Sequence, residues 1–175
     1  MMKSCNEIIH SRVSVKKYLP QMPKKEDIQY VIDAGLAAAS GRNMQASVIV
    51  AVTNKEIRDK LSAENAAVMG ASGDPFYGAP CVLVVLGDKT KAHTYLYDGS
   101  LTLGNMMLAA QEIGLGSCWI HRAKEVMEKP QWQQWLKSLG LEGEYEGIGN
   151  LVLGYPDGGY PDKKERKEGR VVYAD

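Results

Sequence analysis

Cysteine is scarce. The 175 residues hold three, Cys5, Cys81 and Cys118, and they are odd in number, widely spaced and in no C-x-x-C pair. A disulfide framework and a thiolate zinc site are therefore not expected, and a reducing compartment is the simpler setting. An excess of one charge is missing too: 21 Lys and Arg stand against 21 Asp and Glu, for a formal net charge of +0. Duplex DNA and anionic membranes both require a basic footprint, so neither nucleic acid nor membrane is expected as a partner. Long hydrophobic runs are absent. The run from Cys81 to Leu86 is strand-sized, far below the ~20 residues of a membrane span. The first seven residues carry no apolar stretch, so no signal peptide is expected and the chain reads as cytoplasmic.

The familiar catalytic sets are also missing. His10, His93 and His121 are isolated, with no H-E-x-x-H pattern and no clustered metal ligands, so no metal site is expected. Neither a G-x-S-x-G elbow nor a G-x-x-x-x-G-K-[ST] phosphate loop occurs. Gly114-Leu115-Gly116 starts like a dinucleotide fingerprint, but it follows an expected helix, precedes an expected strand and lacks the third glycine. Hydrolase chemistry has no positive support, which leaves chemistry carried by a bound cofactor that the protein binds and orients.

What is present describes an ordinary globular chain. Hydrophobic residues make up 45% and charged residues 24%, too apolar for disorder. One domain over residues 1–175 is expected, large enough to bury its own core. Helical spacing predicts helices over 6–11, 24–39, 55–65 and 98–113, and an amphipathic stretch over 124–137 that Pro130 interrupts. Asn54 is placed to cap the third. The helix over 98–113 is rich in Ala and Met and apolar nearly all round, as a helix is when buried in a core or against a second subunit. Strands are predicted over 47–53, 81–86, 117–120 and 148–153, with strand-like character again at 170–173. Residues 74–80 read as loop and 12–18 as an extended segment. The alternation predicts α/β or α+β, with an antiparallel mixture favoured.

Two basic groups stand far apart. Arg12, Ser14 and Lys16 alternate along an extended segment, so all three side chains leave one side of the backbone. Two cations and a hydroxyl there can cradle a phosphate, although the same pattern suits a solvated edge. Near the C-terminus, Lys163, Lys164, Arg166, Lys167 and Arg170 outnumber Glu165 and Glu168, a run that also suits a soluble tail. Ser40, Asn43 and Gln45 offer polar groups without bulk at a helix end, suited to a planar polar ring or simply to a helix C-cap. Beside Gly114 and Gly116, Trp119 can line a pocket or fill the core.

Taken in order, these motifs resemble the nitroreductase family of flavin-dependent oxidoreductases. The family's opening R-R-S-x-R/K-x-F/Y is matched by Arg12-Val13-Ser14-Val15-Lys16-Lys17-Tyr18. Its helix-ending P/A-S-x-x-N-x-Q-P-W is matched by 39–47, from Ala39-Ser40 through Asn43 and Gln45 to Ala46-Ser47. Gly78-Ala79-Pro80 precedes a buried strand. Asp98, Asn105 and Ala110 are followed by Gly114-Leu115-Gly116-Ser117-Cys118-Trp119, then Gly154-Tyr155-Pro156 and Lys164-Glu165-Arg166-Lys167. Each piece is weak alone; their collinear order over nearly the whole chain carries the resemblance. Val13 stands in place of a common second basic residue, Ala46-Ser47 in place of Pro-Trp, and the excursion between Glu64 and Tyr77 is short.

The resemblance implies a three-layer α+β fold, with a mixed, mostly antiparallel sheet flanked by helices, in a homodimer that holds FMN at the subunit interface. By position, Arg12, Val13, Ser14, Lys16, Lys164 and Arg166 would surround the phosphate, with Lys16 also stabilising the flavin N1–C2 region. Ser40, Asn43 and Gln45 would reach the ring from the partner subunit, and Ser117, Cys118 and Trp119 would flank it. No catalytic side chain beyond that role of Lys16 is implied. The implied reaction is ping-pong hydride transfer from NADH or NADPH to a small oxidised acceptor such as a nitroaromatic or quinone. A non-catalytic flavin-storage protein, or a flavin-fragmenting or dehalogenating relative, uses the same fold.

Overall fold

The computed structural model describes residues 4–174. Along them run α1 (Cys5–Ser11), α2 (Lys25–Leu36), β1 (Ser47–Val52), α3 (Lys55–Met69), β2 (Cys81–Asp88), α4 (Tyr95–Glu112), β3 (Gly116–Ile120), α5 (Ala123–Met127), α6 (Pro130–Ser138) and β4 (Tyr145–Gly154). The sheet order is β1-β2-β4-β3, and every pair of these strands is antiparallel. Successive side chains of a strand point to opposite faces. Along β2 this sends Val82, Val84 and Leu86 to one side, where they join Leu61 of α3, Met127 of α5 and Leu136 of α6. Cys81, Leu83 and Val85 go to the other side, against Val31 of α2 and Leu103 and Met106 of α4. β2 is buried along its whole length because helices cover both faces. The fold is therefore three-layer α+β.

Local signals set several boundaries. Ser4 and Glu7 form a reciprocal capping box on α1. Asn54 caps α3 through its side chain, accepting from the Ile57 amide at 3.1 Å. α3 runs past the expected residue 65 to Met69, where Gly70 at φ 66° ends it. Pro130 starts α6 at its first turn, so the break in the amphipathic stretch is a boundary between two helices.

Other boundaries are tertiary. α2 stops at Leu36, short of the expected residue 39, and the chain turns through 41–43 because the Gly41 amide donates to Asp98 Oδ1 at 3.0 Å. α4 begins one turn before Asp98, which accepts from the Thr94 hydroxyl at 3.1 Å. β4 extends back to Tyr145 because it pairs there with Asp88 of β2. The strand expected over 170–173 does not form: Val171 is 70% and Val172 91% exposed, and no neighbouring strand within the described chain supplies a ladder.

Candidate active site

The segment after α1 lies along the outer edge of β3. The Val15 amide donates to the Ser117 carbonyl at 3.0 Å, and Ser14 and Ser117 form an isolated parallel bridge. Val15 points inward and packs onto Gly116, where a Cβ would come within 2.8 Å of it. Tyr18 is buried too, its hydroxyl donating to the Val15 carbonyl at 2.8 Å, and burial pushes that phenol's pKa up. With Val15 and Tyr18 inside, Ser14 and Lys16 are left outside.

The chain leaving β4 then folds back over this segment. The Leu19 amide donates to the Tyr155 carbonyl at 2.9 Å, and the Asp157 amide donates to the Lys17 carbonyl at 3.0 Å. Lys17 and Asp157 pair at 2.8 Å, the Tyr160 hydroxyl donates to the Leu115 carbonyl at 3.2 Å, and Lys163 donates to the His10 carbonyl. Between the two segments lies a cavity of about 650 Å3 that brings Arg12, Val13, Ser14 and Lys16 together with Lys164 and Arg166. Arg12 Nη1 is buried there without a hydrogen-bond partner. A buried guanidinium nitrogen with nothing to donate to is costly. An anion with several oxygens would satisfy it, and the surrounding cations favour one. The donor set thus fits a phosphate.

Ser14 and Lys16 also line a second cavity, of about 640 Å3, with Tyr77, Cys118, Trp119 and Arg122. Lys16 Nζ sits 5.6 Å from the Tyr77 ring centroid, a cation–π distance. Tyr77 belongs to a loop knotted on Asp74, whose carboxylate accepts from Ser62 Oγ at 2.5 Å, the Phe76 amide at 2.9 Å, the Gly78 amide at 2.7 Å and Arg58. Burial opposes the charge on Asp74, but those donors outweigh it and hold the carboxyl below its usual range. Burial pushes the Cys118 thiol up, and Ser14, Lys16 and Arg12 only partly offset this. Cys118 is a wall here, since a buried neutral thiol is a poor nucleophile.

Two cavities that share Ser14 and Lys16, the first rich in cations and the second walled by aromatic side chains, suit a mononucleotide coenzyme, and the chain has relatives that bind one. The nitroreductase family model matches residues 9–71 and 67–155. The chain belongs to the nitroreductase family. A protein of Archaeoglobus fulgidus named as a candidate NADH dehydrogenase/NAD(P)H nitroreductase is 28% identical across 89% of this chain and 87% of its own length. The NADPH-flavin oxidoreductase of Vibrio harveyi is 27% identical across 98% of this chain and 73% of its own length. The crystal structure of a Bacteroides fragilis nitroreductase with bound FMN superposes with a TM-score of 0.86, at 26% identity over 99% of this chain and 100% of that one.

Within this nitroreductase-family chain, Ser40, Asn43 and Gln45 line neither cavity. Ser40 Oγ accepts from the Gln45 amide at 3.1 Å, and Gln45 Nε2 donates to Asn43 Oδ1 at 3.2 Å. Their turn feeds β1, at the opposite sheet edge from β3, three strand spacings or roughly 14 Å away. Ser117 is buried under the Ser14 bridge and lines neither cavity. Tyr77 and Arg122, which the sequence reading did not select, are set into the second cavity by left-handed backbones at φ 55° and 72°. The other described non-glycine residues at positive φ are Arg42, Asn43 and Gln45, so such backbone occurs in the lining of the second cavity and in the turn before β1. Backbone of this kind concentrates at functional sites. Neither Tyr77 nor Arg122 carries a local signal for it, since glycine is the residue that advertises a positive φ.

Proposed function

We propose that the protein is an FMN-dependent NAD(P)H oxidoreductase of nitroreductase type that acts as a homodimer. The observation that carries this reading is the unpartnered, buried Arg12 nitrogen in a cavity gathered from both ends of the chain. The names of the relatives and the FMN of the Bacteroides fragilis structure support it. Arg12, Ser14, Lys164 and Arg166 would hold the phosphate, and Cys118 and Trp119 would wall the ring beside Lys16. Ser40, Asn43 and Gln45 would complete the site from the other subunit. When bound, FMN supplies a two-electron carrier that takes hydride from NAD(P)H and delivers it to an oxidised acceptor in turn.

The chain's own contribution is binding, orientation and charge. Lys16 places a cation where a reduced ring would be anionic, an electrostatic role that needs no movement during reaction. Burial holds the Tyr18 phenol and the Cys118 thiol above their usual pKa values and Asp74 is committed to its donors, so this reading assigns none of the three a proton-transfer role. With a nitroaromatic acceptor the balanced reaction is ArNO2 + NAD(P)H + H+ → ArNO + NAD(P)+ + H2O. The test is a visible spectrum of the purified protein before and after anaerobic NADH or NADPH. A yellow flavin spectrum that bleaches is expected. Protein that stays colourless after FMN is added overturns the reading, and a yellow protein that neither nucleotide bleaches is a storage protein instead.

A further inference from the structure

We propose that the second cavity selects an acceptor bearing a carboxylate next to its ring, with Arg122 as the residue that reads the charge; the proposal rests on the flavin-oxidoreductase reading above. The cavity's charges point one way. Lys16, His121 and Arg122 line it against a single carboxylate, Asp74. Asp74 is committed to Arg58, Ser62 and two backbone amides. Lys16 rests over the Tyr77 ring. Arg122 is half-buried, and its side chain makes no hydrogen bond or ion pair with any described residue.

The position of Arg122 is also built. Its backbone sits at φ 72°, ψ 16°, a conformation that an L-residue adopts only when its surroundings impose it. On one side, Nδ2 of the fully buried Asn65 donates to the His121 carbonyl at 2.8 Å. On the other, β4 passes so close at Gly147 that a Cβ there would collide with the Ala123 carbonyl. α3 and β4 thus clamp the residues on either side of Arg122. A guanidinium presented this way, with no internal partner and beside the apolar surfaces of Tyr77, Trp119 and Ile120, matches a planar molecule whose anionic group takes two parallel N–H bonds.

The same fork could meet the 2′-phosphate of NADPH. With the flavin ring against Cys118 and Trp119, the part of this cavity of about 640 Å3 left beside Arg122 suits a small molecule with ring and charge close together. The 2′-phosphate lies at the far end of a dinucleotide from its nicotinamide, so the acceptor is the better match.

The experiment compares 4-nitrobenzoate with its neutral isostere 4-nitrobenzamide on the FMN-loaded protein. The wild type is expected to favour the benzoate roughly 10- to 100-fold in kcat/KM, the range set by hydrogen bonds to a charged partner. In Arg122→Gln that ratio should fall toward unity, mainly through the KM of the benzoate, and Arg122→Lys should restore part of it. Because the readout is a ratio, a general loss of activity cancels. A ratio that survives in Arg122→Gln overturns the proposal, as does a change in the NADPH/NADH ratio instead. Calorimetric binding of benzoate to the same preparations gives a second readout independent of turnover. If the protein holds no FMN, the flavin reading fails on its own, and Arg122-dependent benzoate binding still decides this proposal.

Discussion

Arg12 caps α1 with its backbone and leaves Nη1 buried in the first cavity with nothing to donate to. A lone surface arginine would turn that nitrogen to water, so its enclosure makes Arg12 the residue whose loss a bound phosphate should feel most. Arg12→Ala is expected to weaken FMN binding by about 1.5–3 kcal/mol, the range for a hydrogen bond to a charged group. Lys55→Ala, on an exposed i,i+4 pair of α3 far from the cavities in the fold, should leave it unchanged. Quenching of free FMN fluorescence on titration with apoprotein measures both, and equal affinities would remove Arg12 from the site. At this scale the legible part of the candidate site was the alternation of Arg12, Ser14 and Lys16, because an extended segment needs only its period to show which side chains travel together. Nothing local in 12–16 or 163–166 says that the two runs meet; that expectation came from the resemblance alone. Tyr77 and Arg122 were invisible because the tertiary clamps that set their backbones lie elsewhere in the chain.

The loop between α3 and β2 is held by one carboxylate. Asp74 ties Arg58 and Ser62 of α3 to the amides of Phe76 and Gly78, and Arg58 Nε also donates to the Ala79 carbonyl at 2.9 Å. Because the folded state holds the Asp74 carboxyl below its unfolded value, its contribution to stability is complete above that unfolded value, about 3.9. It is lost as pH falls through the lower folded value. Asp74→Asn should therefore destabilise the protein by about 1–3 kcal/mol at neutral pH. The gap to wild type should narrow below about pH 4, read from urea midpoints at neutral and acid pH. A gap that does not change with pH would mean that the loop is held by packing instead. The contrast between legible and illegible elements has the same physics. β2, α4 and the Asn54 cap follow from periodicity and local bonds, which a sequence displays. The early end of α2 at Leu36 and the backward extension of β4 to Tyr145 follow from a bond to Asp98 and a partner at Asp88. The Val-rich run at 171–172 lacks any ladder in the described chain, and β-propensity without a neighbouring strand forms nothing.

At the scale of the whole molecule, the face of α4 turned away from the sheet is apolar and uncovered. Tyr97 is 70% and Leu101 52% exposed at i,i+4 spacing, with Leu96 beside them at 45%. A side chain at Gly104, one turn on, would meet nothing within 4 Å. Leu36 and Met44 add exposed apolar surface near the turn that carries Asn43 and Gln45. A patch of this kind is an association surface more often than a solvent face. It is also continuous with the polar turn that one chain cannot bring to its own cavities. Dimer formation and coenzyme retention should therefore fail together. Leu101→Glu buries a charge in the proposed seam without touching either cavity, and is expected to shift the protein to monomer in light scattering. Because the seam alone can deliver a partner's Ser40, Asn43 and Gln45, the same variant should lose bound FMN in proportion to its monomer fraction as the protein is diluted. A monomeric Leu101→Glu that keeps a full complement of FMN would place all of the coenzyme's contacts within one chain, and the turn before β1 would then have no part in the site.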